Sequence, residues 1–411
     1  MRFLYNIFIH IYILALNLIS PFNKKVKTML KGEKECFDRL QNLNSEDKVA
    51  WFHCASLGEF EQGRPLIEEV KKQFPEYKIL LSFYSPSGYE SKKDYALADY
   101  VVYLPNDTKS NAKKFVKKVN PDLIFFIKYE FWWNFLRACK HYNIPVYSIS
   151  SIFRANKVFF KWYGKGYSAV LRLVDHFFVQ DEESARLLST LHITDNVTIV
   201  GDTRFDRVLD IQAKSRELPL VETFGKDAKS IFVAGSSWPQ DEELIIPYFN
   251  NHPQMKLILA PHVIDEAHLR HIESKLKRPF VRYTEANEAT VAQADCLIIN
   301  CFGLLSSIYR YGNLAYVGGG FGAGIHNVPE AAVYGIPVLF GPNNKGFREA
   351  QDLLRMGGCF EITGQPLFNA LVDKLTGNPR LCAKKGALCR DYIKSNAGAT
   401  ETIFSTLQLD V

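Results

Sequence analysis

The sequence predicts an α/β protein made of two similar halves, each built on a parallel sheet, with a cleft between them. Three observations lead there. Short apolar runs alternate with amphipathic stretches along most of the chain. The series pauses over residues 208–230, which are polar and mixed, and then resumes. A strand, glycine-rich loop, helix and second strand follow one another over residues 313–342.

The chain begins with an apolar run over residues 3–19, near the lower length limit for a spanning helix. Asn6, His10 and Asn17 interrupt it and share one narrow helical face. Lys24, Lys25, Lys27 and Lys31 follow it, and only Arg2 precedes it, a distribution suited to anionic headgroups on a cytoplasmic surface. No small-x-small cleavage site follows. Residues 1–31 therefore read as a retained anchor or interfacial helix, the other reading being a core helix of the first domain. The expected organisation is then a first domain over 32–207, a linker over 208–230 and a second domain over 231–411.

In the first domain, 49–54 reads as a strand, 55–59 as its loop and 60–74 as a helix. Strands are expected at 78–84, 100–103, 123–127, 146–150, 176–179 and 197–200. A helix over 108–119 carries five lysines, on a solvated face or one turned to a phosphorylated lipid surface. Ligands of parallel sheets gather at the carboxyl ends of the strands. That places Ser56, Gly58 and Glu59 at a site edge, with Glu130 at the end of another strand. Two roles suit Glu59: general base toward a substrate hydroxyl, or complement to the dipole of the helix it begins.

In the second domain, strands are expected at 231–235, 256–260 and 296–300, with Ser236, His262 and Gly303 just beyond them. The strand at 314–317 is followed by glycines at 318, 319, 320, 322 and 324. A helix starting at Pro329 and a strand over 336–340 complete a βαβ unit. Its loop and helix start offer N–H groups to an anion, normally a phosphate; a tight turn without ligand is the other reading. His326, Asn327 and Glu330 collect where loop meets helix. The expected phosphate donors are the amides of 323–327, with Ser236 and His262.

The formal charge of +6 is mild for 411 residues; it gives no case for nucleic acid and suits an anionic surface or substrate. The eight cysteines include no C-x-x-C pair, so they read as reduced thiols. No Asp-x-Asp pair of the metal-using type is present, and neither metal nor cofactor is expected.

The motifs Trp51-Phe-His-Cys-Ala-Ser-Leu-Gly-Glu59, Ser85-Pro-Ser-Gly88, Glu130-Phe-Trp132, Gly201-Asp-Thr-Arg-Phe-Asp206, Gly318-Gly-Gly and His326-Asn-x-x-Glu330 with Gly341-Pro342 can be taken together. On them, nearly the whole chain resembles the 3-deoxy-D-manno-oct-2-ulosonic acid (Kdo) transferases of lipopolysaccharide synthesis. The resemblance implies a GT-B fold of two Rossmann-like domains, with acceptor on the first and CMP-Kdo on the second. It implies inverting transfer of Kdo from CMP-Kdo to lipid IVA, without covalent intermediate, at the cytoplasmic face of the inner membrane. It makes Glu59 the catalytic base. Donor contacts then fall to Ser236, His262, Gly303, Gly324, His326, Asn327 and Glu330, and acceptor or anion contacts to Ser56, Gly58, Glu130 and Arg204. Another glycosyltransferase or a sugar-nucleotide epimerase of the same architecture is the alternative. The chain departs from the family pattern at Lys128, where the family often has glutamate. It also lacks an arginine beside His262 and two acids in Asn300-Cys-Phe-Gly303-Leu304.

Overall fold

The computed structural model describes residues 2–407. The chain forms two compact units. The first runs to Arg207 and includes the segment from Ala397 onward; the second spans Val208–Asn396.

The first unit holds a seven-stranded sheet. Its strands are β1 (Val49–Cys54), β2 (Lys78–Phe83), β3 (Tyr100–Tyr103), β4 (Leu123–Ile127), β5 (Val146–Ser151), β6 (His176–Val179) and β7 (Val197–Ile199), in the order β3-β2-β1-β4-β5-β6-β7. Every pairing is parallel. β1 is buried at all positions because it carries a core layer on each side. Val49 and Trp51 join one layer; Ala50, Phe52 and Cys54 join the other. The strand order reverses between β1 and β4; Ser56, Gly58 and Glu59 lie at the helix start that follows β1, and Glu130 in the loop leaving β4.

Four helices open this unit: α1 (Arg2–Ile19), α2 (Lys24–Lys34), α3 (Cys36–Arg39) and, after β1, α4 (Leu57–Gln73). α1 is 18 residues long with mean hydropathy 1.5, long and apolar enough to cross a membrane by length and composition. Yet one face is committed to the protein. Ile9 and Leu16 are buried. Tyr5 Oη donates to Asp107 Oδ2 at 2.5 Å, Asn134 Nδ2 donates to Asn6 Oδ1 at 3.0 Å, and Tyr84 Oη donates to Tyr12 Oη at 2.9 Å. The opposite face is bare: Phe3, Leu4, Phe8, Ile11, Leu14 and Leu18 are each at least 60% exposed. A wholly buried core helix is thereby excluded.

The second unit has its own seven-stranded sheet. Its strands are β8 (Ser230–Ser237), β9 (Met255–Pro261), β10 (Phe280–Arg282), β11 (Cys296–Ile298), β12 (Leu314–Val317), β13 (Val338–Phe340) and β14 (Cys359–Glu361). Their order is β10-β11-β9-β8-β12-β13-β14, all parallel, and the reversal falls between β8 and β12. The stretch read as a linker is largely helical, over Arg204–Ala213 and Pro219–Gly225.

The segment after Ala397 differs from the expected second domain that ran to the last residue. Its helix Ala399–Leu407 packs on α4 of the first unit, where Ile403 is buried and Phe404 stacks on Phe74 with ring centroids 6.3 Å apart. Asp206 makes the joint. Its Oδ1 accepts the Gly398 amide at 2.6 Å, and its Oδ2 accepts the Thr400 amide and hydroxyl, each at 2.7 Å. This is helix capping by a carboxylate distant in sequence. Asp206→Ala should therefore cost about 1–2 kcal/mol of stability, read as a lowered denaturant midpoint and faster amide exchange in the last helix.

Candidate active site

Glu59 is the third residue of α4, whose first turn starts directly off β1. The side chain is 8% exposed, and its Oε2 accepts the Ala55 amide at 2.6 Å. It thus satisfies a free donor at the helix start, the structural role expected of a carboxylate there. Burial outweighs that stabilisation. With the Glu130 charge nearby, it raises the Glu59 carboxyl to about 7, against the opposing pull of the Ala55 amide, Lys128 and the Ser56 amide. A carboxyl poised near neutrality suits proton transfer at cellular pH. The dipole role and the base role are compatible in one residue.

The loop after β4 faces it. Lys128 has φ +64°, a left-handed conformation uncommon outside glycine. Its carbonyl accepts the hydroxyls of Ser151 at 3.0 Å and Ser148 at 3.4 Å, which hold the turn in place. The turn delivers Glu130, whose Oε2 accepts the Trp132 indole N–H at 2.7 Å and stands 3.6 Å from His53 Nε2. Ser56 caps α4 by position but makes no side-chain capping bond, and Gly58 is exposed with open space where a Cβ would stand.

α4 is fixed by the Gly201–Asp206 motif. Gln62 Nε2 donates to both carboxylate oxygens of Asp202, and Thr203 Oγ1 donates to the Gln62 carbonyl at 2.5 Å. Arg204, expected to meet a ligand anion, reaches Asp202 through Nε at 3.0 Å, with its side chain 42% exposed. Asp202 is buried and needs a compensating cation.

In the second unit, β8 ends on Ser236 and Ser237, and Ser236 is also left-handed, at φ +52°. Trp238 comes next and organises the strand end. Its indole N–H donates to His326 Nε2 at 3.0 Å, and its ring stacks on His262 with centroids 4.7 Å apart. His262 lies 4.5 Å from His326 by the same measure. Because Nε2 of His326 accepts, its ring proton resides on Nδ1 and the imidazole is neutral. Burial and the neighbouring His262 both hold its pKa below the ordinary value. Beneath the cluster, buried Asp241 accepts the Trp238 and Gly319 amides through Oδ2, each at 2.9 Å, and the Tyr316 hydroxyl through Oδ1 at 2.7 Å.

The glycine-rich loop corrects one expectation. Three of the five amides expected to face a phosphate are spent on backbone carbonyls: Gly324 bonds to Gly319 O and His326 to Gly318 O within the loop, and Ile325 to Asn343 O in the loop after β13. The helix that follows, Val328–Ala332, is only five residues long. The glycines serve close packing. A Cβ on Gly318 would stand 2.2 Å from the Ser236 carbonyl oxygen, and Gly319 has φ +93°. Asn327 Nδ2 donates to Glu330 Oε1 at 2.7 Å beside His326. Gly303 sits exposed after β11 at φ +86°, away from any close neighbour.

Residues 32–207 match the family model described as 3-deoxy-D-manno-octulosonic-acid transferase (kdotransferase). Transferases of that name share 28% identity over 76% of this chain and 74% of their own length in Chlamydophila psittaci, and 27% over 82% and 74% in Rickettsia prowazekii. In Aquifex aeolicus the identity is 28% over 82% and 87%. Over residues 32–207, and at 27–28% identity over most of its length, the chain is similar to Kdo transferases. Among solved structures, the UDP-GlcNAc 2-epimerase of Neisseria meningitidis bound to UDP-GlcNAc superposes with TM-score 0.62 at 16% identity, covering 88% of this chain and 99% of that one. MurG of Acinetobacter baumannii gives 0.56 at 11%, covering 88% and 99%. At such identities the likeness shows the fold, which is GT-B.

Three residues of these clusters escape a reading of the sequence: His53 in the first unit, and Trp238 and Asp241 in the second. His53 lies inside an apolar run and reads as strand interior. Trp238 and Asp241 read as the start of a helix. The indole–imidazole bond makes a definite expectation. Trp238→Phe keeps the stacking but removes the donor that favours neutral His326, so the pKa of His326 should rise. Imidazole titration by heteronuclear NMR reads it, and an unchanged midpoint would show that the bond carries no weight.

Proposed function

We propose that the chain transfers Kdo from CMP-Kdo to the 6′-hydroxyl of lipid IVA, inverting the anomeric centre, without a metal. The observation that carries the reading is the buried Glu59 carboxylate at the end of β1, at the strand reversal and with a proton affinity matched to neutral pH. The similarity to Kdo transferases supports the sugar. In the proposed step, Glu59 takes the hydroxyl proton as the oxygen attacks the anomeric carbon of Kdo. The new glycosidic bond forms as the bond to the phosphate of CMP breaks, and the electron pair leaves with CMP.

The first unit holds the acceptor beside Ser56, Gly58, Glu59 and Glu130. The second unit holds CMP-Kdo. With three of the five expected loop amides already bonded within the unit, donor contact falls mainly to side chains: the Trp238–His262–His326 cluster and Ser236, with Asn327 and Glu330 toward the ribose hydroxyls. The Nδ1–H of His326 is a fixed donor for charge developing on the leaving phosphate. Glu59→Ala should lose about 10²–10⁴-fold in turnover while CMP affinity stays near wild type. The pH profile of kcat/KM should rise through about 7 as Glu59 loses its proton. The deciding assay is CMP-Kdo with lipid IVA and mass analysis of the product. Preference for UDP over CMP would favour another nucleotide-sugar enzyme of this fold.

The same proposal places the protein on the cytoplasmic face of the inner membrane. α1 is held to the first unit along one side, so its bare apolar side suits lying in the membrane plane rather than crossing it. Lys24, Lys25, Lys27 and Lys31 of the adjoining α2 are exposed and suit anionic headgroups. Replacing Leu4 and Ile11 together by Asp should weaken sedimentation with phosphatidylglycerol vesicles by roughly tenfold or more. Equal binding of variant and parent would refute the in-plane placement.

A further inference from the structure

The helix Trp133–His141 starts directly after the loop that carries Glu130. Trp132 holds its N-cap position and makes no side-chain capping bond. Asp107, from the loop after β3 and 1% exposed, caps it from outside. Its Oδ1 accepts the Phe135 amide at 2.9 Å and its Oδ2 the Asn134 amide at 3.0 Å. These are first-turn amides that the helix itself leaves unpaired.

The inward side of α1 closes on this same joint. Tyr5 Oη donates to Asp107 Oδ2 at 2.5 Å and fixes the rotation of the carboxylate. The Tyr5 ring lies 5.6 Å from that of Trp133. Asn134 is buried and gives one amide contact to the Asp107 carbonyl at 2.6 Å and one to Asn6 Oδ1 at 3.0 Å. Tyr84 donates to Tyr12 Oη at 2.9 Å and sets its ring 5.1 Å from Trp132. Trp132 in turn donates to Glu130 Oε2 at 2.7 Å. Each link from α1 to Glu130 is a hydrogen bond, a ring contact or the chain itself.

Apolar residues at positions 5, 6 and 12 would fasten α1 as well, since a buried hydrogen bond adds little net stability. Directional bonds add something else: they specify one position for the group they hold. We propose that Tyr5, Asn6 and Tyr12 are positioning residues that, through Asp107, Asn134 and Tyr84, hold the Glu130–Trp132 loop in place for the acceptor. The inference rests on the placement of the acceptor on the first unit, and it gives α1 a part in substrate binding besides its contact with lipid. With α1 lying in the membrane plane, an acceptor whose chains are in the bilayer meets a loop held at fixed height by that same helix.

The test uses Tyr5→Phe, Asn6→Ala and Tyr12→Phe, which remove hydrogen-bonding atoms and leave the bare apolar side of α1 intact. KM for lipid IVA in detergent micelles should rise roughly fivefold in each, with kcat and KM for CMP-Kdo near those of the parent. Sedimentation with phosphatidylglycerol vesicles should match the parent, so that the rise is not lost membrane affinity. Amide exchange over residues 129–136 should quicken in Tyr5→Phe and Asn6→Ala, and saturating lipid IVA should slow it again. Quicker exchange with an unchanged KM for lipid IVA would make α1 a fastening only and overturn the inference, as would unchanged exchange. A rise in KM for CMP-Kdo alone would refute the acceptor placement beneath it. A parent protein that makes no product from CMP-Kdo and lipid IVA sinks the proposed reaction instead, and the exchange readout still decides whether α1 orders the loop.

Discussion

The first unit depends on keeping a carboxylate at the end of a central parallel strand with little water around it. Glu59 gains one backbone donor, from Ala55, and loses most of its hydration. The second effect is the larger, so the group holds its proton to about 7. Such an arrangement persists only if α4 cannot shift. The buried Gln62–Asp202 pair, backed by the half-exposed Arg204, and the hydroxyl of Thr203 bear on the next turn of that helix. The Gly201–Asp206 motif thus braces α4, the helix that carries Glu59.

The second unit solves a different problem with the same architecture. On the proposed reading, its strand ends present a surface to an uncharged base and a charged phosphate. Stacked indole and imidazole rings offer the first, and a neutral imidazole with a fixed N–H offers the second. Asp241 ties the backbone just past β8 and β12, and the Tyr316 side chain of β12, into one platform. Left-handed Ser236 and Lys128 lie at equivalent places, each at the end of a strand flanking an order reversal. Backbone strain of this kind gathers where a fold is shaped for a ligand.

Most of this was legible where the signal was long. The apolar runs of β1, β3, β4, β6 and β12 coincide with the observed strands, because buried parallel strands read as continuous hydrophobic segments. The short strands β10 and β14, of three residues each, carry no period and were not expected. The loop amides were misjudged because glycine spacing allows an anion nest and a self-bonded turn alike; only the acceptors in space decide. His53 was hidden for the opposite reason. Its neighbours are apolar, and Ser82 and Glu130 are brought alongside it only by strand pairing. The capping by Asp206 could not be read locally, since its partners lie 192 and 194 positions away.

That distant cap has a topological consequence. The polypeptide leaves the first unit after Arg207 and re-enters it at Ala397, so the second unit is an insertion with two seams. A recombinant fragment carrying the second unit alone must be excised at both seams, because a cut at the first only would drag an orphaned helix with it. A chimaera that exchanges this body between relatives would likewise need two splice points, and would leave the acid-bearing scaffold whole.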